Sequence, residues 1–424
     1  MFKKIAIPVD NSSISNSCID MGVDLAKRFN STLFGSHVYA ANLHYKRFTD
    51  LEDGLPEKYK EEKELQRQRD LHDVLIGKGL ELISSSYLDV FKEKCENASV
   101  PFESKLLEGK NFSEIVKDIN SSDYELVIIG VTGLGAVNGN LIGSVCERVV
   151  RRVNRNILVL KNAKPIEGKI VVAIDGSGTS FNAVKVAAGL AKEFNTKLEI
   201  VSAFDPEYHR VAFKGIADVL SAEAGKIFKF NEQEQLHEDI IDNRMAKLYQ
   251  NHLEEALEMI KDSDVSASIK LLEGKPYYSI LKHIEKDEPS LLIVGRTGIH
   301  DTGDLDLGSA TENLLRLAPC NIIITTNRDS QDDDARLLNR NSVHKSKGGK
   351  PSFISQKVDK EFNSSDLIWD DDAKDRVGKI PYFIRGMIIK QIERFTREKG
   401  ESTVTCSIVD EVKDNWSGQM DLPH

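Results

Sequence analysis

Leu126-Val127-Ile128-Ile129-Gly130-Val131-Thr132-Gly133 is an apolar run that breaks into glycine, two residues and a second glycine; nine residues later comes Gly143-Ser144. The arrangement returns as Leu291-Leu292-Ile293-Val294-Gly295-Arg296-Thr297-Gly298 and, again after nine residues, Gly308-Ser309. Four consecutive apolar residues ending in a glycine loop read as a buried strand that stops and turns. In open α/β sheets ligands bind at such strand ends.

The first glycines of the two stretches lie 165 positions apart (295 − 130). The same offset carries Asp10 onto Asp175, Leu25-Ala26-Lys27 onto Leu190-Ala191-Lys192, and Leu106-Leu107-Glu108-Gly109-Lys110 onto Leu271-Leu272-Glu273-Gly274-Lys275. Residues 1–162 and 166–327 are therefore two copies of one domain.

Within the first copy, strands are predicted at 4–9, 32–38, 102–107, 126–129 and 157–160. Between them lie a helix striped by Ile14, Cys18, Met21, Leu25 and Phe29, a helix through Leu71, Val74, Leu75, Leu82 and Ile83, a short helix at 112–119, and a last helix opened by Gly143-Ser144. Strands that alternate with helices imply a doubly wound parallel sheet, because parallel neighbours need helical crossovers. The glycines at 130 and 133 are expected to let the backbone approach a ligand closely and to adopt positive φ, so that backbone N–H groups turn toward an anion. Ser144 and Ser309 bring a helix N-terminus to the same place.

With 424 residues and 40% hydrophobic content the chain is long enough for two or three globular domains. A net charge of −10 argues against a general nucleic-acid binder. Five scattered cysteines suggest neither a disulfide framework nor a zinc site, so a reducing cytoplasm is expected. Neither a signal peptide nor a membrane span is read from the sequence.

Both copies resemble the universal stress protein family, on the repeated glycine pattern, on Ile7-Pro8-Val9-Asp10 and Val172-Ala173-Ile174-Asp175, and on Ala318-Pro319-Cys320-Asn321-Ile322-Ile323-Ile324. The resemblance implies two Rossmann-like domains of the adenine-nucleotide alpha hydrolase-like kind, each binding ATP, with or without Mg²⁺. In the first copy it assigns Pro8, Val9, Asp10, Val38, Gly130, Thr132, Gly133, Gly143, Ser144 and Val145 to the nucleotide. In the second it assigns Ala173, Ile174, Asp175, Ala203, Gly295, Arg296, Thr297, Gly298, Gly308, Ser309 and Ala310. The aspartates would meet ribose or adenine, and Val38 and Ala203 would line the adenine slot. Pairing of the last strands, 157–160 with 322–325, would make an intrachain pseudo-dimer, which leaves a further homodimer open. Val131 and Ala310 depart from the family's common residues, a polar residue and a valine, without removing a backbone donor.

The first loop is uncharged from Val131 to Asn140, whereas the second carries Arg296, His300, Asp301, Asp304 and Asp306. Carboxylates repel a triphosphate unless a cation intervenes, so either the second site depends more on Mg²⁺ or binds more weakly, or these aspartates simply face solvent. Long charged segments at 40–69 and 205–244 read as solvated helix or as lids over the nucleotide.

Residues 328–365 have too few apolar side chains to fold and read as a flexible linker. A small all-α domain follows at 366–418. It resembles the PCP-reductase domain of light-independent protochlorophyllide reductase through Trp369, Ala373, Lys379-Ile380-Pro381-Tyr382-Phe383-Ile384-Arg385, Ile392-Glu393-Arg394-Phe395 and Lys399-Gly400. That enzyme's reductive chemistry does not come with it, since Cys406 is the lone cysteine of the tail. Arg385, Lys390, Arg394, Arg397 and Lys399 make one helix cationic on its outer side, which reads as an ordinary solvated face or as a contact for an acidic protein partner.

The function expected is a stress-response module regulated by ATP. The alternatives are an enzyme acting on ATP or an adenylated substrate, through slow hydrolysis or autophosphorylation at Ser144 or Ser309, and a nucleotide-free interaction protein. Neither a His-x-Gly-His nor a Ser-Gly-Gly-x-Asp-Ser signature occurs, and His300 is the one candidate acid or base near a loop.

Overall fold

A computed structural model describes residues 1–135, 141–206, 243–299, 306–326, 367–378, 389 and 392–417. The chain divides into two units, Met1–Ala335 and Arg336–His424. The 328–365 stretch, most of the 205–244 segment, and the Lys379 to Arg385 part of the tail motif lie outside the described residues.

The first half of the larger unit runs β1 (Lys4–Pro8), α1 (Ser13–Phe29), β2 (Thr32–Tyr39), α2 (Ala41–Asp50), α3 (Glu62–Asn97), β3 (Phe102–Glu108), α4 (Asn111–Asn120), β4 (Leu126–Gly130), α5 (Ser144–Arg152) and β5 (Asn156–Leu160). The second runs β6 (Lys169–Ile174), α6 (Gly178–Phe194), β7 (Lys197–Phe204), α7 (Asn243–Met259), β8 (Ala267–Glu273), α8 (Pro276–Asp287), β9 (Leu291–Gly295), α9 (Ser309–Leu317) and β10 (Asn321–Thr325). Both halves start their first helix the same way: Ser12 and Ser177 cap α1 and α6, and Asn30 and Asn195 end them in the left-handed region.

One sheet holds all ten strands, in the order β3-β2-β1-β4-β5-β10-β9-β6-β7-β8. Side chains alternate across it. Ile5, Ile7, Leu126 and Ile128 point into a core shared with α1, α3, α6 and α7, while Val127 and Ile129 face α4 and α5. Burial on both faces explains why β4 and β9 read as unbroken apolar runs. Among the described helices none is long and apolar enough to cross a membrane.

The apolar stripe from which the second helix of the first copy was read is not its buried face. Leu71, Val74, Leu75, Leu82 and Ile83 are exposed, and Ser84, Leu88, Phe91 and Cys95 pack on the sheet instead. The helix has 36 residues, about 54 Å, so its N-terminal part outruns the sheet. It also takes up residues 62–69 of the first charged segment, and α2 lies along it with Phe48 stacked on His72 at 4.3 Å.

The halves meet along β5 and β10, the one antiparallel pairing among the described strands of this sheet, with Ile322 opposite Val159 and Ile323 opposite Leu158. Asn321 Oδ1 accepts from the backbone N–H of Lys161 (2.8 Å) and Asn162 (3.2 Å), and Asn156 Oδ1, its counterpart, accepts from Thr326 N–H at 3.2 Å. Above the strands, Glu147 and Arg151 of α5 meet Glu312 and Arg316 of α9: Arg151 bonds Glu312 at 2.6 Å and Arg316 bonds Glu147 at 2.6 Å.

Burial at this seam pulls the Lys161 ammonium down to about 8 from its ordinary 10.5, and Nζ donates to Ala318 O at 2.7 Å. A folded-state pKa below the unfolded one means the charged form disfavours the fold at neutral pH. The penalty is relieved as pH rises from about 8 toward 10.5. Lys161→Met is therefore expected to stabilise the protein at pH 7 by about 1–2 kcal/mol, net of the lost hydrogen bond, with the gain fading toward pH 10. Urea unfolding across that range checks it; a gain independent of pH would contradict the assignment.

The smaller unit pairs β11 (Ile368–Trp369) in parallel with β12 (Thr403–Val404) and carries α10 (Asp371–Gly378), a helical segment at 392–398 and α11 (Cys406–Ser417). Trp369, Ala373, Ile392 and Ile408 form its core. The sequence pattern marks its helices; two-residue strands are too short to show a period. Gly400, at φ +75°, follows the 392–398 segment.

Candidate functional site

β1 ends at Pro8, and the chain passes through Val9 and Asp10 into Asn11, which adopts φ 59°. That turn aims the Asp10 carboxylate sideways at the glycine loop after β4. Its Oδ1 accepts from Ser12 N–H (3.0 Å) and Ser12 Oγ (2.6 Å), and its Oδ2 accepts from Leu134 N–H at 3.0 Å. Asp175 repeats the arrangement with Ser177 N–H (3.0 Å), Ser177 Oγ (2.6 Å) and Ile299 N–H (2.8 Å). Each aspartate thus clasps the start of one helix to the loop beyond another strand. Three donors leave a carboxylate about one further lone-pair position.

The glycines serve this closeness, and the expectation of positive φ at 130 and 133 is corrected. The positive-φ glycines among the described residues are Gly109, Gly168, Gly176, Gly274 and Gly400. A Cβ on Gly133 would run into Asp10 Oδ2, and one on Gly298 would lie 2.5 Å from Asp175 Oδ2. At Gly130 it would meet Ile14 Cγ2 at 2.8 Å, and at Gly295 the backbone N of Ser180 at 3.0 Å.

The loop closes on itself through Val131, whose N–H donates to Leu160 O (2.8 Å) and whose carbonyl accepts from Gly143 N–H (2.7 Å). Arg296 does the same with Thr325 O and Gly308 N–H, both at 2.9 Å. Gly143 and Gly308 then occupy the N-cap positions of α5 and α9. The first N–H groups of each helix have no intrahelical acceptor, and Ser144 and Ser309 are exposed there. Together these make an uncharged donor set at the positive end of a helix dipole, suited to an anion.

The structure brings Asp10, Gly130, Thr132, Gly133 and Gly143 together, and likewise Asp175, Gly295, Thr297, Gly298 and Gly308. Val145 and Ala310 are the second residues of α5 and α9. Val38 shares an apolar cluster with Ile129 and Val131, as Ala203 and Ala173 do with Val294. Ile174 ends β6, and its carbonyl accepts from Ser202 Oγ at 2.7 Å.

The Arg296 side chain leaves the loop for the other half of the unit. Its Nη2 donates to Val150 O, in α5 of the other half, at 2.6 Å, and burial lowers its pKa to about 10, with the Asp306 charge opposing. Its backbone closes the loop, through Thr325 O and Gly308 N–H. Of the acidic residues counted against the second loop, Asp306 is described and exposed, while Asp301 and Asp304, like His300, lie outside the described residues.

Several contributors were not singled out from the sequence. Asn11 and Gly176 hold the left-handed turn, and their Asp-Asn and Asp-Gly dipeptides were an available turn signal. His37 Nδ1 lies 2.5 Å from Val9 O, the place Ser202 takes in the second half. Thr179 Oγ1 and Thr311 Oγ1 bond the carbonyls of Thr297 (2.5 Å) and Gly295 (2.7 Å), where the first half has Ile14 and Cys146. In the tail, Arg394, Arg397 and Lys399 are paired with Glu398, Glu393 and Glu411, so the cationic face is largely neutralised where it is described.

The model of the Universal stress protein family matches residues 1–161 and 168–326, and that of the Proto-chlorophyllide reductase 57 kD subunit matches 369–413. Universal stress protein MJ0531 of Methanocaldococcus jannaschii is 27% identical over 164 residues, 39% of this chain and 85% of that protein. A universal stress protein structure from Archaeoglobus fulgidus superposes with a TM-score of 0.51 at 16% identity, over 77% of this chain and 99% of that one. The tail is similar to a stretch of light-independent protochlorophyllide reductase from Chlorobium limicola, 38% identical over 52 residues; these are 12% of this chain and 10% of that protein.

Proposed function

This chain belongs to the universal stress protein family, and from that premise we propose that it is a regulatory module whose two halves each bind ATP. The observation that carries the reading is the duplicated clasp, in which Asp10 or Asp175 fastens a glycine loop beside a helix start with unspent N–H groups. The residues suit the ligand. Gly133 and Gly298 lack the Cβ that would separate loop from carboxylate, and α5 and α9 present Ser144 and Ser309 with their first N–H groups.

In this reading the polyphosphate lies against the loop and helix start, and the remaining acceptor position of the aspartate takes a ribose hydroxyl. Val38 and Ala203 border the base. ATP supplies negative charge that the dipole and N–H groups favour, with Mg²⁺ assisting, more so at the second loop. Binding changes the loops, and through them the surface offered to partners. The halves act as an intrachain pseudo-dimer joined at β5 and β10. The five free thiols, four of them buried, accord with a reducing cytoplasm. The tail serves as an attachment domain for a protein partner.

Denaturing the purified full chain and identifying released nucleotide, followed by calorimetric titration with ATP with and without Mg²⁺, tests the proposal. Up to two sites per chain are expected. No released nucleotide together with no ATP-induced rise in melting temperature would refute it.

A further inference from the structure

α3 has three sides over the stretch that outruns the sheet. One meets α2, through His72 against Phe48, and the turn that follows α2, through Arg69 paired with Glu52 at 2.6 Å. A second continues into the buried residues Leu88 and Phe91. The third carries Leu71, Val74, Leu75 and Leu82, which recur at helical spacing and are 51%, 55%, 71% and 71% exposed. This apolar face is bounded by two ion pairs within the helix, Glu64 with Arg67 (3.0 Å) and Asp89 with Lys92 (2.9 Å).

These features are arranged symmetrically about Lys78. Val74 and Leu82 are each four residues from it, Arg67 and Asp89 eleven, and Glu64 and Lys92 fourteen. We propose that this face is the contact between two copies of the chain, which pair through antiparallel α3 helices about a two-fold axis at Lys78.

In that arrangement Val74 falls opposite Leu82 of the second copy, and Leu71 and Leu75, opposite Ser85 and Glu81, flank that contact. Arg67 falls opposite Asp89, and Glu64 opposite Lys92, so each end closes as a quartet of alternating sign. The chain already uses this device between its own halves, where Glu147 and Arg151 meet Glu312 and Arg316. A parallel pairing would set Arg67 on Arg67 and Asp89 on Asp89, so charge selects the antiparallel one. An isologous contact of this kind closes at two copies. Gly77 and Gly79 sit inside the helix with nothing within 4 Å of the side chain they lack. They weaken it relative to alanine without any packing return within the chain, and a partner helix supplies that support. Lys78 meets its own copy on the axis and is the one like-charge contact.

Sedimentation equilibrium of the full chain between about 1 and 100 µM tests this, a range suited to a small interface. A monomer–dimer equilibrium is expected. Leu75→Asp with Leu82→Asp should weaken it at least about tenfold while circular dichroism and melting temperature stay unchanged, since both side chains are exposed. Arg67→Glu and Asp89→Arg should each weaken the dimer, and together restore it. Lys78→Leu should tighten it. A wild-type chain that is monomeric throughout would overturn the proposal. So would a dimer indifferent to the aspartates, or a double charge reversal that fails to restore pairing, either of which assigns the face to some other occupant.

Discussion

Gly133→Val is expected to weaken ATP binding at the first loop about 100-fold or more. The new Cβ would land on Asp10 Oδ2, so either the carboxylate swings away or the loop retreats. If the carboxylate swings, Ser12 N–H, Ser12 Oγ and Leu134 N–H lose their acceptor. Hydrogen bonds to a charged group contribute roughly 1.5–3 kcal/mol each, and about 2.7 kcal/mol suffices for the stated factor. Titrating ATP into a chain that also carries Gly298→Val would show both sites lost, against one site lost in each single variant. Unchanged affinity in Gly133→Val would remove the clasp from the proposed nucleotide site. Gly133→Ala should shift affinity the same way by less.

Phe91→Ala is expected to lower the unfolding free energy by about 3–5 kcal/mol, the range for removing a fully buried aromatic ring. Phe91 fastens α3 to the sheet. Its Cδ1 lies 2.5 Å from where a Cβ of Gly35 would be, and its ring stands edge-on to Phe102 at 5.9 Å. The backbone of β2 cannot move into the vacated space without breaking its ladders to β1 and β3. A loss under about 1 kcal/mol in urea unfolding would mean that α3 is held elsewhere. Gly35→Ala should also destabilise, and combining it with Phe91→Leu should cost less than the sum of the two, because the smaller side chain makes room for the methyl group.

The strands were legible because parallel strands buried on both faces must be apolar throughout, and the 165-residue offset let each half confirm the other. Asp10, Asp175 and the loop glycines stood out as well, though the aspartates' bonds to Ser12, Leu134, Ser177 and Ile299 did not. Why the loop positions are glycines was not legible: a close approach to Asp10 and a left-handed turn favour the same residue, and the left-handed turn belongs to Asn11 and Gly176 instead. The helical period around Leu71 marks a helix but not its inward face, which depends on where the sheet beneath it ends. Arg296 read as a loop cation because its acceptor, Val150 O, is 146 residues away in sequence.

The direction Arg296 takes has a consequence for inheritance. In a dimer of identical chains every substitution is made twice, and an arginine reaching across a two-fold seam would face a second arginine reaching back. Here the counterpart position is Val131, so one guanidinium crosses and nothing answers it. Joining the halves in one chain lets each differ at this seam, and Arg296 is a residue that a pair of identical chains would have to bury in duplicate.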